Sequence, residues 1–246
     1  GGLYAGARAW LEDGMRHVIT LSTIPPRFDK LGPALASLLA QKSRPEAVEL
    51  WIPRTYRRFP QWGGALPEVP EGVTIQRTDE DLGPATKILP AVKARRGQDV
   101  DLIYVDDDRV FAPDWAERCL AVRKDHPGAA ICGAGFNIKR YGYHHADGPS
   151  PRAVAASDPQ FQIGTQVNRV LRFLRMRGAV ELEAPWRRFQ RSGHVDIAEG
   201  YGGGMVRPRF FDEQVFQIPP VLWTVDDIWL SGTLTRLGVP IWADKD

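Results

Sequence analysis

The sequence is poor in the features that define several classes of protein. It has only two cysteines, Cys119 and Cys132, which form neither a disulfide framework nor a metal-binding spacing. No apolar run approaches the roughly 18 residues of a membrane-spanning helix, and no signal-peptide pattern opens the sequence. The formal net charge is only +2, which does not favour binding to nucleic acid or other polyanions. Without repeats or linkers, the sequence predicts a single domain over 1–246 in a reducing, cytoplasmic compartment, with both cysteines buried.

Short apolar strands alternate with helical patterns over the first 135 residues. Strands are predicted at His17–Ser22, Ala47–Ile52, Val73–Arg77, Leu102–Val105 and Ala129–Gly135. Helices are predicted to open at Pro33, Pro84 and Pro113, with Pro90 interrupting or ending the second of them. This alternation favours an α/β fold, in which helices cover both faces of a mainly parallel sheet.

Three consecutive acids, Asp106, Asp107 and Asp108, follow the strand predicted at Leu102–Val105. They would lie at the carboxyl end of that strand, where open α/β sheets bind ligands. Alternation along an extended chain would point Asp106 and Asp108 to one side and Asp107 to the other. Two carboxylates about 5 Å apart repel by about 3 kcal/mol at an effective dielectric near 20, and a divalent Mg or Mn ion would offset this repulsion. The alternative is a solvated acidic turn that caps the helix predicted from Pro113.

A second acidic pair, Asp226 and Asp227, opens a helical pattern late in the sequence. Thr224, three positions before Asp227, matches a capping arrangement that would give Asp227 a purely structural role. A carboxylate at a helix start is also stabilised as the anion by the helix dipole, which suits a general base. Gly232 costs about 1 kcal/mol inside a helix and predicts a group packed close to it.

Two further segments each allow two interpretations. The glycines Gly202–Gly204 would let backbone approach a ligand closely, or they form a flexible loop. The segment 169–191 carries seven arginines with apolar residues between them. It predicts a basic amphipathic helix that binds an anionic acceptor or anionic lipid headgroups, or else a solvated arginine face.

Taken together, these motifs resemble those of the GT-A fold glycosyltransferases, close to family 2, which use nucleotide-sugar donors. Val105–Asp108 looks like their D-x-D motif, and Val225–Ile228 is similar to their late acidic pair, which is usually Glu-Asp. The segments 22–27 and 82–87 and the glycine cluster fall in the expected order, so the resemblance covers nearly the whole sequence.

The resemblance implies a GT-A, Rossmann-like fold with a nucleotide-binding half at about 15–136 and an acceptor-binding half at about 137–246. It implies metal-dependent transfer of a sugar, most simply from a UDP-sugar, to a hydroxyl of a glycan or glycoconjugate acceptor in polysaccharide biosynthesis. The donor would be bound by Thr23, Arg27, Lys87, Asp106, Asp107, Gly202, Gly203 and Gly204. A Mn or Mg ion would be held by Asp108 and Asp106, and catalysis would fall to Asp227 and Asp226.

Within the resemblance, Asp227 would be the base of an inverting reaction, although the replacement of Glu by Asp226 leaves open which acid acts and whether configuration is retained. Lys87 would reach the base or the phosphates of the donor, or would be an exposed helix lysine. The protein would work in the cytoplasm, with peripheral contact at the inner membrane face through 169–191.

Two other functions are compatible with the same motifs. The strand followed by Asp106 and Asp108 also resembles the haloacid-dehalogenase-type phosphatases, in which Asp106 would be the nucleophile, Asp108 the acid, and Asp226 and Asp227 the Mg ligands. Against this, three predicted strands precede the motif, which normally lies on the first strand of such a domain. The third function is a non-catalytic module that binds a sugar or a nucleotide.

Overall fold

The computed structural model describes residues 15–142, 148–155 and 189–245. Its strands are β1 His17–Ser22, β2 Ala47–Pro53, β3 Val73–Thr78, β4 Asp101–Val105, β5 Ala130–Cys132, β6 Gly135–Phe136, β7 Val154–Ala155, β8 Phe189–Arg191, β9 Gly193–Val195, β10 Ile197–Ala198, β11 Gly204–Val206 and β12 Ile241–Ala243. Its α-helices in this part of the chain are α1 Gly32–Leu39, α2 Leu89–Ala94, α3 Trp115–Asp125 and α4 Asp226–Arg236. Short 3-10 helices include Pro25–Lys30 and Gly83–Lys87.

Eight strands form one sheet in the order β3-β2-β1-β4-β11-β5-β12-β9. Strands β3, β2, β1 and β4 run parallel to one another, as do β5 and β12. Strand β11 runs antiparallel between β4 and β5, and β9 is antiparallel to β12. The prediction of an α/β fold with a mainly parallel sheet is therefore confirmed.

Helices cover the sheet on both faces because successive residues of each strand point to opposite sides. In β4, Ile103 and Val105 pack with α1 and α3 in one apolar core. Leu102 and Tyr104 pack with α2 and α4 in a second core on the other face. Strand β4 is buried on both sides, as a continuous apolar run in a parallel sheet predicts.

A buried ion pair fixes the start of β4. Arg123 of α3 donates from Nε to Asp101 Oδ1 at 2.8 Å, and both side chains are almost fully buried. Arg207, directly after β11, donates to the same carboxylate. The strand is thus tied to its neighbours at the end opposite the three acids, which fixes where the chain emerges at Asp106.

Several local expectations need correction. Pro90 neither interrupts nor ends a helix: it occupies the second position of α2, where a proline removes no helical hydrogen bond. A Cβ atom added at Gly232 would meet no described group within 4 Å, so the predicted close packing is wrong. Cys132 is buried, but Cys119 is only partly buried.

Two further expectations remain predictions. The single-domain assignment and its division into two halves are not decided by the strand order. Most of the arginine-rich segment 169–191 lies outside the described residues, apart from 189–191 in β8. None of the helices in the described part of the chain is both long enough and apolar enough to cross a membrane.

Candidate functional site

The three consecutive acids do not alternate as an extended chain would. Strand β4 ends at Val105, and the chain turns at Asp107 and Asp108. The turn brings Asp107 and Asp108 to one cation, Arg27, and leaves Asp106 to another, Lys87. The expectation that Asp106 and Asp108 converge on one object is therefore not met by these side chains as they stand.

Asp107 is the most buried of the three acids and is held by two partners from the segment after β1. Thr23 Oγ1 donates to Asp107 Oδ2 at 2.5 Å, and Arg27 Nη2 lies 3.0 Å from Asp107 Oδ1. The same Arg27 nitrogen lies 2.8 Å from Asp108 Oδ2. Burial raises the pKa of Asp107, while Thr23 and Arg27 oppose this by stabilising the anion.

Lys87 joins the two acidic motifs. Its side chain is only 5% exposed, and its Nζ lies 2.8 Å from Asp106 Oδ1 and 3.1 Å from Asp226 Oδ2. Although burial alone would lower the pKa of Lys87, the charges of Asp226, Asp106 and Asp227 raise it above the ordinary value. The alternative of an exposed helix lysine is wrong, and Lys87 is a charged group shared by acids from distant parts of the sequence.

The second acidic pair lies at the start of α4, but no capping box forms there among the described residues. The residue that precedes the helix is Val225, and no described side chain caps its terminus. Asp227 Oδ1 instead accepts a hydrogen bond of 2.9 Å from the backbone N–H of Gly200. The structural role predicted through Thr224 is therefore wrong, and the carboxylate of Asp227 is held by a different loop.

Asp227 is the more accessible member of this pair, and its pKa is raised. Burial raises its pKa to about 6, the neighbouring charge of Asp226 adds to the rise, and Lys87 with the Gly200 N–H opposes it. Asp226 is buried, and its Oδ2 has no well-aligned hydrogen-bond donor in the described part of the chain, even though Lys87 Nζ is near enough for an ion pair. A carboxylate with a pKa near neutrality is suited to accept a proton.

The glycine cluster is explained by close packing. A Cβ atom at Gly203 would lie 2.3 Å from the Trp115 ring, and one at Gly204 would lie 2.3 Å from the Tyr104 ring. Gly202 approaches Ala134 almost as closely. None of the three lines the cleft described below, so their role in donor binding stays a prediction.

The acids and cations open onto a cleft at the carboxyl ends of the parallel strands, with a cavity volume of about 210 Å³. Six of the predicted residues line it: Thr23, Arg27, Lys87, Asp106, Asp107 and Asp108. Neither Asp226 nor Asp227 lines this cleft, but Asp226 contacts Lys87, so the second acidic motif is joined to the cleft through one shared cation.

Sequence reasoning missed the aromatic part of the cleft lining, which comes from irregular segments of the chain. Tyr56 donates from its hydroxyl to the Thr23 carbonyl at 2.8 Å. Trp223 donates from Nε1 to the Asp81 carbonyl at 3.0 Å, and its backbone lies so close to Gly83 that a Cβ there would be 2.5 Å from the Trp223 carbonyl oxygen. The only signal in the sequence was an aromatic residue within a proline- and glycine-rich loop, which has no periodicity to interpret.

The acids of the turn have donor chemistry that fits a hard divalent cation. Carboxylate oxygens suit Mg and Mn, which complete their coordination with water and phosphate oxygens. Among the residues that the structure describes, no group of three or more His, Cys, Asp or Glu side chains is arranged to hold a metal by itself. A metal here would therefore use one or two of the acids, Asp108 and Asp106, together with ligands from a bound molecule.

Comparison with known proteins finds distant likenesses among solved structures. No protein-family model matches the chain, and no curated protein is similar to it. Among solved structures, the chain is similar to Staphylococcus aureus TarS 1–349, with 12% sequence identity and a TM-score of 0.45, and to the same protein in complex with UDP, with 12% identity and a TM-score of 0.46. Each likeness covers 94% of this chain and 58% of the TarS chain, so the chain spans less than two thirds of the length of these structures.

Proposed function

We propose that the protein is a glycosyltransferase that uses a nucleotide-sugar donor and that Asp227 is its general base. The observation that carries this proposal is the meeting of two distant acidic motifs at one cleft, where Lys87 contacts Asp106 from the first and Asp226 from the second. One motif faces the cleft, and the other supplies a carboxylate of raised pKa, which is the pairing that a donor site and an acceptor base require.

The cleft has the chemistry of a nucleoside diphosphate site. Phe59 and Trp223, both partly buried, offer aromatic surface for a base, and Arg27 and Arg58 line the same cleft, where their guanidinium groups can pair with phosphate oxygens. Asp108 and Asp106 would hold a Mn or Mg ion. When bound, the ion would neutralise the diphosphate as it leaves.

The proposed acceptor reaction uses Asp227 as the base. The hydroxyl of a glycan or glycoconjugate acceptor would attack the anomeric carbon as its bond to the diphosphate oxygen breaks, and Asp227 would take the hydroxyl proton. The Gly200 N–H holds the Asp227 carboxylate in place through Oδ1. Attack from the side opposite the leaving group would invert the configuration of the sugar.

The phosphatase alternative has less support from the order of the strands. Its motif normally lies on the first strand of its domain, whereas Asp106 and Asp108 follow β4, the fourth strand along the chain. A role in polysaccharide biosynthesis, and peripheral contact with the inner membrane face, remain part of the proposal without a described residue that bears on them.

Calorimetric titration of UDP, and then of GDP, with and without Mn²⁺ tests the donor site. We expect micromolar binding that requires Mn²⁺ and is lost in Asp108→Asn. Asp114→Asn is the matched control, because Asp114 is a partly exposed acid beside α3 and does not line the cleft. Absence of nucleotide binding under every condition would reject the proposal, and assays with phosphate monoesters would then test the phosphatase.

Donor hydrolysis separates an enzyme from a binding module. We expect Asp227→Asn to retain binding of UDP and Mn²⁺. It should lose the slow hydrolysis of a bound UDP-sugar by water, because the base that takes the proton is gone. Equal hydrolysis rates for the variant and the unaltered protein would contradict the assignment of Asp227 as the base.

A further inference from the structure

Arg27 has an unusual place among the acids of the turn. One nitrogen, Nη2, lies 3.0 Å from Asp107 Oδ1 and 2.8 Å from Asp108 Oδ2. A single positively charged group thus contacts two adjacent carboxylates, which is the arrangement that a cation bound between them would have. The guanidinium offsets the repulsion between these acids without any added ion.

The surroundings of Arg27 leave it room to move. It lies in the 3-10 helix Pro25–Lys30, its side chain is 33% exposed, and it lines both the cleft and a neighbouring cavity bordered by Lys30, Pro33 and Val110. The wall between the two spaces is formed in part by the Arg27 side chain. A rotation about its flexible stem would carry the guanidinium away from the carboxylates without disturbing the core.

Lys87 provides the contrast within the same site. It is only 5% exposed and is enclosed between Asp106 and Asp226, so its ammonium group has no comparable freedom. Asp108, by contrast, is 54% exposed, so its pairing with Arg27 is open to solvent and easily exchanged. Lys87 is therefore fixed in the site, whereas Arg27 can be displaced.

We propose that Arg27 occupies the cation position beside Asp108 when no donor is bound, and that a metal–nucleotide complex displaces it onto the diphosphate. This inference rests on the proposed function, since it concerns the metal and the donor of that same site. Because Arg27 competes for the carboxylates, it weakens the binding of a metal ion alone. A diphosphate that binds Arg27 frees the carboxylates for the metal, and a metal that binds the carboxylates frees Arg27 for the diphosphate, so the two bind cooperatively. Arg27 is therefore a specificity-determining residue that favours the metal–nucleotide complex over the free ion.

The test is the affinity for Mn²⁺ without nucleotide, measured from the electron paramagnetic resonance signal of free Mn²⁺. In Arg27→Gln we expect Mn²⁺ to bind about tenfold more tightly than in the unaltered protein, because the competitor is gone. Lys30→Gln is the matched control: it removes a positive charge from the same 3-10 helix, but Lys30 does not line the cleft, so the affinity for Mn²⁺ should be unchanged. Arg27→Lys restores a charge at the position and should return the Mn²⁺ affinity toward that of the unaltered protein.

A second measurement uses the nucleotide. At saturating Mn²⁺, Arg27→Gln should bind UDP about tenfold more weakly while its affinity for uridine is unchanged, since only UDP has the diphosphate that receives the guanidinium.

The outcomes separate this inference from the function on which it rests. If the unaltered protein binds Mn²⁺ with UDP but Arg27→Gln shows an equal or weaker affinity for Mn²⁺ alone, the inference is overturned and the proposed function stands. If neither protein binds Mn²⁺ with or without UDP, both the inference and the metal dependence are overturned.

Discussion

The substitution Asp227→Asn should remove activity and at the same time stabilise the protein. The pKa of Asp227 is raised from an ordinary 3.8 to about 6, mainly by burial. Asp227 therefore holds its proton more tightly in the folded protein than in the unfolded chain. The free energy of unfolding falls as the pH rises between these two pKa values. Asn is neutral at every pH, and its side-chain oxygen can still accept the hydrogen bond from the Gly200 N–H.

The expected gain follows from the two pKa values. The difference between 3.8 and about 6 corresponds to about 3 kcal/mol at about 1.4 kcal/mol for each pH unit. This cost of ionising the partly buried acid is nearly complete above about pH 7, about half as large at pH 5, and absent well below pH 3.8. Asp227→Asn should thus be more stable than the unaltered protein by about 3 kcal/mol at pH 8 and by about half of that at pH 5.

Urea denaturation at pH 5 and pH 8, followed by tryptophan fluorescence, measures this difference directly. Asp114→Asn is the matched control, because it makes the same change beside another helix at a side chain that is 41% exposed. Its free energy of unfolding should change by no more than about 0.5 kcal/mol at either pH. A variant Asp227→Asn that is less stable than the unaltered protein, or whose gain is equal at the two pH values, would refute the assignment of Asp227 as a buried acid of raised pKa.

Three further substitutions test the packing and charge of the site. Lys87→Met should lower the free energy of unfolding by about 3 kcal/mol, because Asp226 is left buried without its cation. Asp106 is about a third exposed and regains some hydration. A loss of less than about 1 kcal/mol in urea denaturation would contradict this prediction. Gly203→Ala should cost about 3 kcal/mol or more, since Gly203 has a φ of +76° and a Cβ would lie 2.3 Å from the Trp115 ring. Gly232→Ala is the control for Gly203→Ala in the same thermal melts. A Cβ atom at Gly232 would have no described neighbour within 4 Å, so this change should stabilise α4 by up to about 1 kcal/mol. Equal effects of the two substitutions would argue against close packing at Gly203.

Local sequence patterns determined much of the fold. The strands predicted at His17–Ser22 and Leu102–Val105 match β1 and β4 to within one residue. A short run of apolar residues, rich in β-branched types, is a local pattern that favours a buried strand. The order of strands and helices was enough to predict a mainly parallel sheet covered on both faces. The acids at the end of β4 were placed correctly at the edge where the cleft opens.

Local reasoning failed where the chain leaves regular structure. Alternation predicted that Asp106 and Asp108 would face one object, but this rule holds only while the chain stays extended, and it turns after Val105. Thr224 matched a capping pattern, yet the hydrogen bond to Asp227 comes from Gly200 in a separate loop. In both cases a short-range rule was displaced by a contact with another part of the chain.

The sequence by itself thus determined the class of fold and the edge of the sheet that carries the acids, since strand periodicity and strand order are local properties. Only the tertiary structure decided which cation each acid meets. Thr23 and Asp107 are 84 positions apart, and Lys87 reaches acids from two different motifs, so neither pairing leaves a mark on any short stretch of sequence. The partner of a charged side chain is the opposite charge that the folded chain brings near it. The partners of Asp106, Asp108 and Asp226 therefore became clear only from the packing of the loops around the cleft.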